Sequence, residues 1–526
     1  MKLANSMGRN VTRSKGGYYD LELYILFAVS TVVVFAAFMP MLLRNHYSTD
    51  SYHLIKDQHT LWYLQCGRYT FWIFASFFEK LGVNLVLKQR WFILFCLFSL
   101  SGCITALVRL LERQFDRKSL AIDILLVIPL SLTWCNVYLE DWILFPEVAG
   151  MIAIAAIVLT ASVVAFFRYK GLTSFFSSAV LLVVALGSYQ SMVGSYIAAI
   201  VIVSCYKYRF DLRSAFSYSI KGIAIGGLCA ILNIMILKAV VLSGFIGDSG
   251  RGSTFDLQVI FGNYMQIVEY QASFWKDADG LLPCPVMQIL EVVFLMLFTS
   301  VFRRSIKRGF SYVLAFVVSL GSAYAPHYVE ASILLSPRSN IAVWTVIGCM
   351  LAVLLCDRLF DIDEEDVSGQ TDLGLSDLLA DKAIFVAECL LILFYAASAV
   401  FMWDIAYDVY ASNVQDREYA NSIAEAIQKY ETNTGSVVNK IGAVDDASVQ
   451  TSYKETRYSN HELGRRIMNV DYSRIEMINW ISGRYFEQVD VTDEEAMRLF
   501  GNKDWDHEDL EEQLKFEDGV AYLSIY

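Results

Sequence analysis

Charge is what this sequence has least of. Only 18% of its 526 residues are Asp, Glu, Lys or Arg, and 56% are hydrophobic. A soluble domain is about 25% charged and about 45–50% apolar. The shortage excludes an ordinary water-soluble globule and makes the lipid bilayer the expected solvent. The net charge of −12 gives no support to a nucleic-acid partner, because the acids gather in the C-terminal tail and one loop. No nucleic acid is expected.

Chemical motifs are scarce too. The ten cysteines sit mostly in apolar runs without C-x-x-C or other metal spacing, so buried, inert thiols are expected. Cys66, Cys135 and Cys284 fall in polar loops and leave room for one disulfide. There is no Gly-rich phosphate loop and no nucleophile elbow. The loop acids and histidines show no H-x-x-x-H or E-x-x-H spacing, so neither a metal nor any other cofactor is expected. Nor is there an internal repeat of the kind many transporters carry.

What the chain does have is apolar length. Runs of about 17–25 residues, each enough to cross about 30 Å of hydrocarbon, recur about eleven times between 21–43 and 383–403. Lys2, Arg9, Arg13 and Lys15 precede the first, and Pro40 and Arg44 close it without a small-x-small cleavage site. An uncleaved anchor with a cytoplasmic N-terminus is expected. The basic clusters at 109–118, 168–170, 207–213 and 303–308 then all fall on the cytoplasmic side, which puts the C-terminal tail outside.

The expected fold is therefore mainly α, a polytopic membrane helical bundle of about 11 spans. It divides into a cytoplasmic tail (1–20), a membrane domain (21–403) with a long first outer loop (44–90), and a soluble C-terminal domain (404–526). In the last, Val414–Tyr430, Tyr472–Arg484 and Thr492–Phe500 read as helices, the third capped by Thr492 with Glu495. Ser436–Val444 and Gly519–Tyr526 read as strands, giving a small α/β domain. The acidic inner linker 357–382 reads as a loose connector.

The stretch Arg44–Trp72 crowds the mouth of the first span with Asp50, His53, Lys56, Asp57, His59 and Arg68 among aromatics. A loop that merely joins two helices needs about 2–8 residues. This one is far longer, and Asp50, His53 or Lys56, and Asp57 are spaced to share one helical face. The plain reading is an interfacial amphipathic helix. The functional reading is a carboxylate at the water–lipid boundary, where a general base could meet an acceptor hydroxyl. Asp50 is the foremost base, against its simpler use as a helix N-cap. Glu140 and Asp141 add a carboxylate pair, against a role as solvated loop acids. Arg68, Arg251 and Arg338 offer planar forks suited to phosphate oxygens, with headgroup binding as the alternative. His53, Lys56 and His327 complete the basic set. Tyr189 and Gln190 lie at a short turn, where a sugar contact competes with simple packing.

Five short stretches, in order, resemble the GtrII-type membrane glucosyltransferases. They are Tyr47–Asp50, Gly67–Arg68–Tyr69, Gly187–Ser191, Ser336–Ser339 and Asn413–Ala420. That family typically shows an acidic pair in its first outer loop; Thr49–Asp50 here leaves one acid and concentrates the base role on Asp50. The resemblance implies a GT-C type fold, a polyprenyl-phosphate-linked sugar (a hexose, glucosyl in the family) as donor, and transfer to an envelope glycan on the outer face of a bacterial plasma membrane. It also implies a single displacement with inversion. Asp50 would deprotonate the acceptor, and Arg338, helped by Arg68 or Arg251, would steady the departing phosphate.

Two other classes stay open. A glycan or lipid transporter predicts inverted repeats and ionisable groups at mid-span. A non-catalytic envelope-assembly scaffold predicts that Asp50 and Arg338 lie on opposite sides of the membrane domain.

Overall fold

The computed structural model describes residues 11–526 except 59–60, 115–118, 209–210, 248–252, 255, 367–381, 459–461 and 502. Arg251 and His59 lie outside the described residues, as does most of the inner linker.

Helix α1 (Val11–Leu43) opens the bundle. The first polar loop then folds into three helices, α2 (Ser51–Lys56), α3 (Trp62–Gln65) and α4 (Tyr69–Lys80), rather than one interfacial helix. The breaks are local: Asp57 takes an extended backbone after α2, and Gly67 takes a left-handed one between α3 and α4, φ +72°, which turns the chain. Next come α5 (Gln89–Glu112), α6 (Leu120–Ser131), the short α7 (Val137–Ile143) and α8 (Ala149–Arg168). They are followed by α9 (Gly171–Leu186), α10 (Met192–Lys207), α11 (Leu212–Leu242) and α12 (Leu257–Asp277). Helices α13 (Cys284–Arg304), α14 (Ile306–Ala323) and α15 (Ala342–Asp366) close the middle of the chain.

By length and composition, seven of the described helices (α1, α5, α8, α11, α13, α15 and the long helix after α15) are apolar enough to cross a membrane; α6, α9 and α10 are shorter apolar helices beside them. This is a membrane protein. The ends that carry the basic clusters lie together. Arg109 of α5 bonds Asp123 of α6 at 2.8 Å and reaches Glu22 of α1 at 3.8 Å. Lys207 of α10 faces the rings of Phe167 and Tyr218, and Arg308 pairs with Asp357 of α15 at 3.6 Å. The ten cysteines are free, so Cys66, Cys135 and Cys284 form no disulfide.

Helix α16 (Lys382–Thr434) runs 53 residues without a break, where a boundary near 404 and a separate helix at Val414–Tyr430 are expected. Neither Gly nor Pro occurs between Asp404 and Asn413, so nothing in the backbone stops the helix when its surroundings turn polar. It carries the chain from the bundle into a small C-terminal domain. There, strands β1 (Lys440–Asp445), β2 (Glu487–Val489), β3 (Leu514–Glu517) and β4 (Val520–Ile525) form one sheet in the order β2-β1-β4-β3. β1 is parallel to β2 and β4, and β3 pairs with β4 as a hairpin. Helices α17 (Asp471–Ser482) and α18 (Asp493–Phe500) join it, α18 through the Thr492–Glu495 capping box. Ile423, Ile427, Ile441, Met477, Ile478 and Leu523 form the buried core of this domain. It sits at the end of the bundle opposite the basic clusters, where α17 packs on α2.

Candidate functional site

The first loop is pinned before it reaches its acids. His46 is buried; its backbone N–H donates to Gln89 Oε1 at 3.2 Å and its ring meets the Ile143 carbonyl at 3.3 Å. Burial lowers its pKa, so the ring is neutral at pH 7. Ser48 and Ser51 each donate a hydroxyl to the Glu147 carboxylate, at 2.8 and 3.1 Å. Glu147 is itself buried, at 3% exposure, at the start of α8. At about 0.5–1.5 kcal/mol per hydrogen bond, the pair ties the N-terminus of α2 to that span.

Asp50 stands at the N-cap position of α2, yet its carboxylate makes no cap bond. Its oxygen accepts instead from the Tyr472 hydroxyl of α17 at 2.6 Å. Burial beneath the C-terminal domain pushes this carboxyl above the usual aspartate range. The Tyr472 bond opposes that rise, Glu462 adds to it, and Arg338 and Arg68 oppose it more weakly. Asp50 and Arg338 therefore stand at the same end of the membrane domain, not on opposite sides of it.

Arg68 is placed by two turns that dock on each other. Thr70 N–H donates to the Gly187 carbonyl at 2.9 Å, Tyr69 Oη to Val183 O at 2.8 Å, and Gln190 Nε2 to Cys66 O at 2.5 Å. A Cβ on Gly67 would sit 2.7 Å from Gln190 Nε2, and one on Gly187 would run into the Tyr69 ring, so the contact needs both glycines. The pairing lays the Arg68 guanidinium 5.2 Å from the Tyr189 ring centre, and Tyr189 rests on Trp142 at 4.4 Å. Arg68 Nε is buried without a hydrogen-bond partner, and the side chain makes no ion pair among the described residues.

The third wall comes from α7 and the 3-10 turn Pro337–Asn340. Asn136 caps α7 by accepting from Tyr138 N–H and Leu139 N–H, which sets Glu140 and Asp141 against that turn. Asp141 Oδ2 accepts from the backbone N–H of Arg338 at 3.1 Å. The Arg338 side chain pairs with Glu462 of the C-terminal domain at 2.6 Å and lies 4.6 Å over the Phe145 ring. Glu140 is buried with Oε2 unpartnered. Burial, then the charge of Asp141, raises its pKa well above the carboxylate range, which favours the protonated form.

The remaining sequence-selected residues sit at the rim or in supporting roles. Lys56 turns to the C-terminal domain, paired with Glu476 at 2.5 Å. His53 stacks edge-on against Tyr472. His327 is buried between Glu330 (3.1 Å) and the Ser339 carbonyl (3.3 Å), where it braces the Pro337–Asn340 turn. Sequence reasoning misses three residues: Glu147, Tyr472 and Glu462. Only Glu147 leaves a trace, as an acid at the head of an apolar run. Among the described residues no group of three or more His, Cys, Asp or Glu side chains is placed to hold a metal ion.

The family model Glucosyl transferase GtrII matches residues 39–357, a stretch that includes Asp50, Arg68, Glu140, Asp141, Tyr189 and Arg338. No curated protein matches the chain. The family match covers more than half of the chain, which belongs to the GtrII glucosyltransferase family.

Proposed function

We propose that this GtrII family member is an inverting hexosyltransferase of GT-C type. It moves a glucosyl group from a polyprenyl-phosphate donor to an envelope polysaccharide or glycolipid. One observation carries the reading: Asp50, a carboxylate not used in capping its helix, lies within electrostatic reach of Arg68, a guanidinium with no carboxylate partner among the described residues.

In the reaction, Asp50 takes the proton of the acceptor hydroxyl as that oxygen attacks the anomeric carbon, opposite the phosphate. The bond between that carbon and the phosphate oxygen breaks, its electron pair stays on oxygen, and polyprenyl phosphate departs. Arg68 meets the charge that develops there. Arg338 already faces Glu462 and Asp141, so its part is to hold the site together. Glu140, keeping its proton, is a hydrogen-bond donor for a sugar hydroxyl. Tyr189 and Gln190 fix Arg68, and His53 and Lys56 line the rim. The displacement uses no cofactor. A positioned general base is worth about 10²–10⁴-fold.

The basic end of the bundle faces the cytoplasm in this reading. The chain then crosses a bacterial plasma membrane about eleven times, with its N-terminus inside and its C-terminal domain outside. Full-length protein in bilayers should transfer labelled glucose from polyprenyl-phosphate glucose and not from a nucleotide sugar alone. Transfer from the nucleotide sugar, or none from the lipid donor, contradicts the proposal.

A further inference from the structure

The C-terminal domain holds a cavity that the proposed reaction leaves unused. It lies against α16 and measures about 640 Å³, within the range of small-molecule sites, about 300–1,000 Å³. Tyr419, Tyr453 and Tyr526 line it together with Gln415, Gln450 and Ser422.

Its walls are set in advance. Tyr453 Oη donates to Asp416 Oδ1 at 3.0 Å, and Gln450 Nε2 to Tyr526 Oη at 2.8 Å. Arg466, 1% exposed, donates to the Tyr526 carbonyl and to Glu508, the latter at 2.6 Å, beneath the Tyr453 ring at 4.5 Å. Two buried donors on this wall, Arg466 Nε and Tyr419 Oη, have no hydrogen-bond partner. Both belong to residues that line the cavity, and a buried donor without a partner gains from an acceptor atom brought within its reach. The charges around the cavity are mixed: Glu508 answers Arg466, and Lys454 shares the lining with Glu418 and Glu455. A strongly anionic ligand finds no concentrated cation here.

We propose that this cavity binds a short, neutral stretch of the acceptor glycan. Sugar rings offer C–H faces that lie flat on tyrosine, a ring with an apolar body and a polar tip, and hydroxyls that serve unpartnered donors and acceptors at once. The ligand's identity rests on the glycosyltransferase reading; the existence of the site does not.

The test uses the full-length protein in detergent and oligosaccharides released by mild acid from the envelope polysaccharide of the source cell, with binding followed by saturation-transfer NMR. Ser422→Trp fills the cavity from an exposed rim position, and Gln450→Ala removes a wall donor. Each variant should bind at least tenfold more weakly and raise KM for polymeric acceptor, while transfer to a short soluble acceptor stays unchanged. Equal binding by both variants overturns the proposal. So does the absence of binding by wild type, and so does saturation passing only to detergent or lipid headgroups. Binding that is lost in the variants while wild type transfers no sugar would keep the cavity and remove the reaction instead.

Discussion

Tyr472 and Asp50 stand 422 residues apart and meet through a 2.6 Å hydrogen bond, phenol to carboxylate. Beside it run two more links between the C-terminal domain and the membrane domain, Lys56–Glu476 and Arg338–Glu462, at 2.5 and 2.6 Å. Tyr472 and Glu462 lie beyond the family match, which ends at residue 357. The domain that follows the bundle thus completes the site at its mouth.

That bond has a pH signature. A general base works only as the carboxylate, so the rate should climb as Asp50 loses its proton, at a pH above the ordinary aspartate range because its pKa is raised by burial. The Tyr472 hydroxyl favours the charged form. Its removal in Tyr472→Phe therefore raises the Asp50 pKa further and moves the acid limb of kcat/KM to higher pH. A pH–rate profile with an unmoved acid limb would separate Asp50 from the proton transfer.

The two arginines should behave differently. Arg338→Ala leaves Glu462 without its partner, and a hydrogen bond between charged groups is worth about 1.5–3 kcal/mol; stability should fall by about that much. Arg68 has only a ring contact to lose, about 0.5–1 kcal/mol, so Arg68→Ala should unfold close to wild type. Its donor KM should rise tenfold or more, about 1.4 kcal/mol. Thermal unfolding and donor titration of both variants check this. Matching losses of stability with no change in donor KM would count against Arg68 as the phosphate holder.

Glu140 predicts a pH dependence of stability. Its folded pKa stands well above the ordinary value of 4.5. The unfolded chain therefore loses this proton first as pH rises. The stability tied to Glu140 is fully present below pH 4.5 and is lost between there and the folded pKa. Glu140→Gln cannot ionise and should flatten that decline in an unfolding series across pH. An unchanged decline would show that Glu140 is ionised in the folded protein.

Much of this was open to sequence reading because the signals are local. Each long span is a continuous apolar run, and length alone marks it. Gly67 and Gly187 announce turns, and the residues beside them are the ones that dock. What stays hidden lies between distant positions. Glu147 sits in a run that reads as the start of a span, and its partners Ser48 and Ser51 are 99 and 96 residues away. Tyr472 reads as part of a helix, and no periodicity says that its hydroxyl points at residue 50. The boundary near 404 follows composition, which reports the solvent around a helix and not where the helix ends.

The most direct test of the central claim is transfer of labelled glucose from polyprenyl-phosphate glucose by wild type and Asp50→Asn, in membranes at equal protein level. With Asp50 as the base, the amide variant folds, binds donor with a similar KM and turns over slower by about 10²–10⁴-fold. Equal kcat for the two proteins would contradict the assignment and move the search for the base to Asp141.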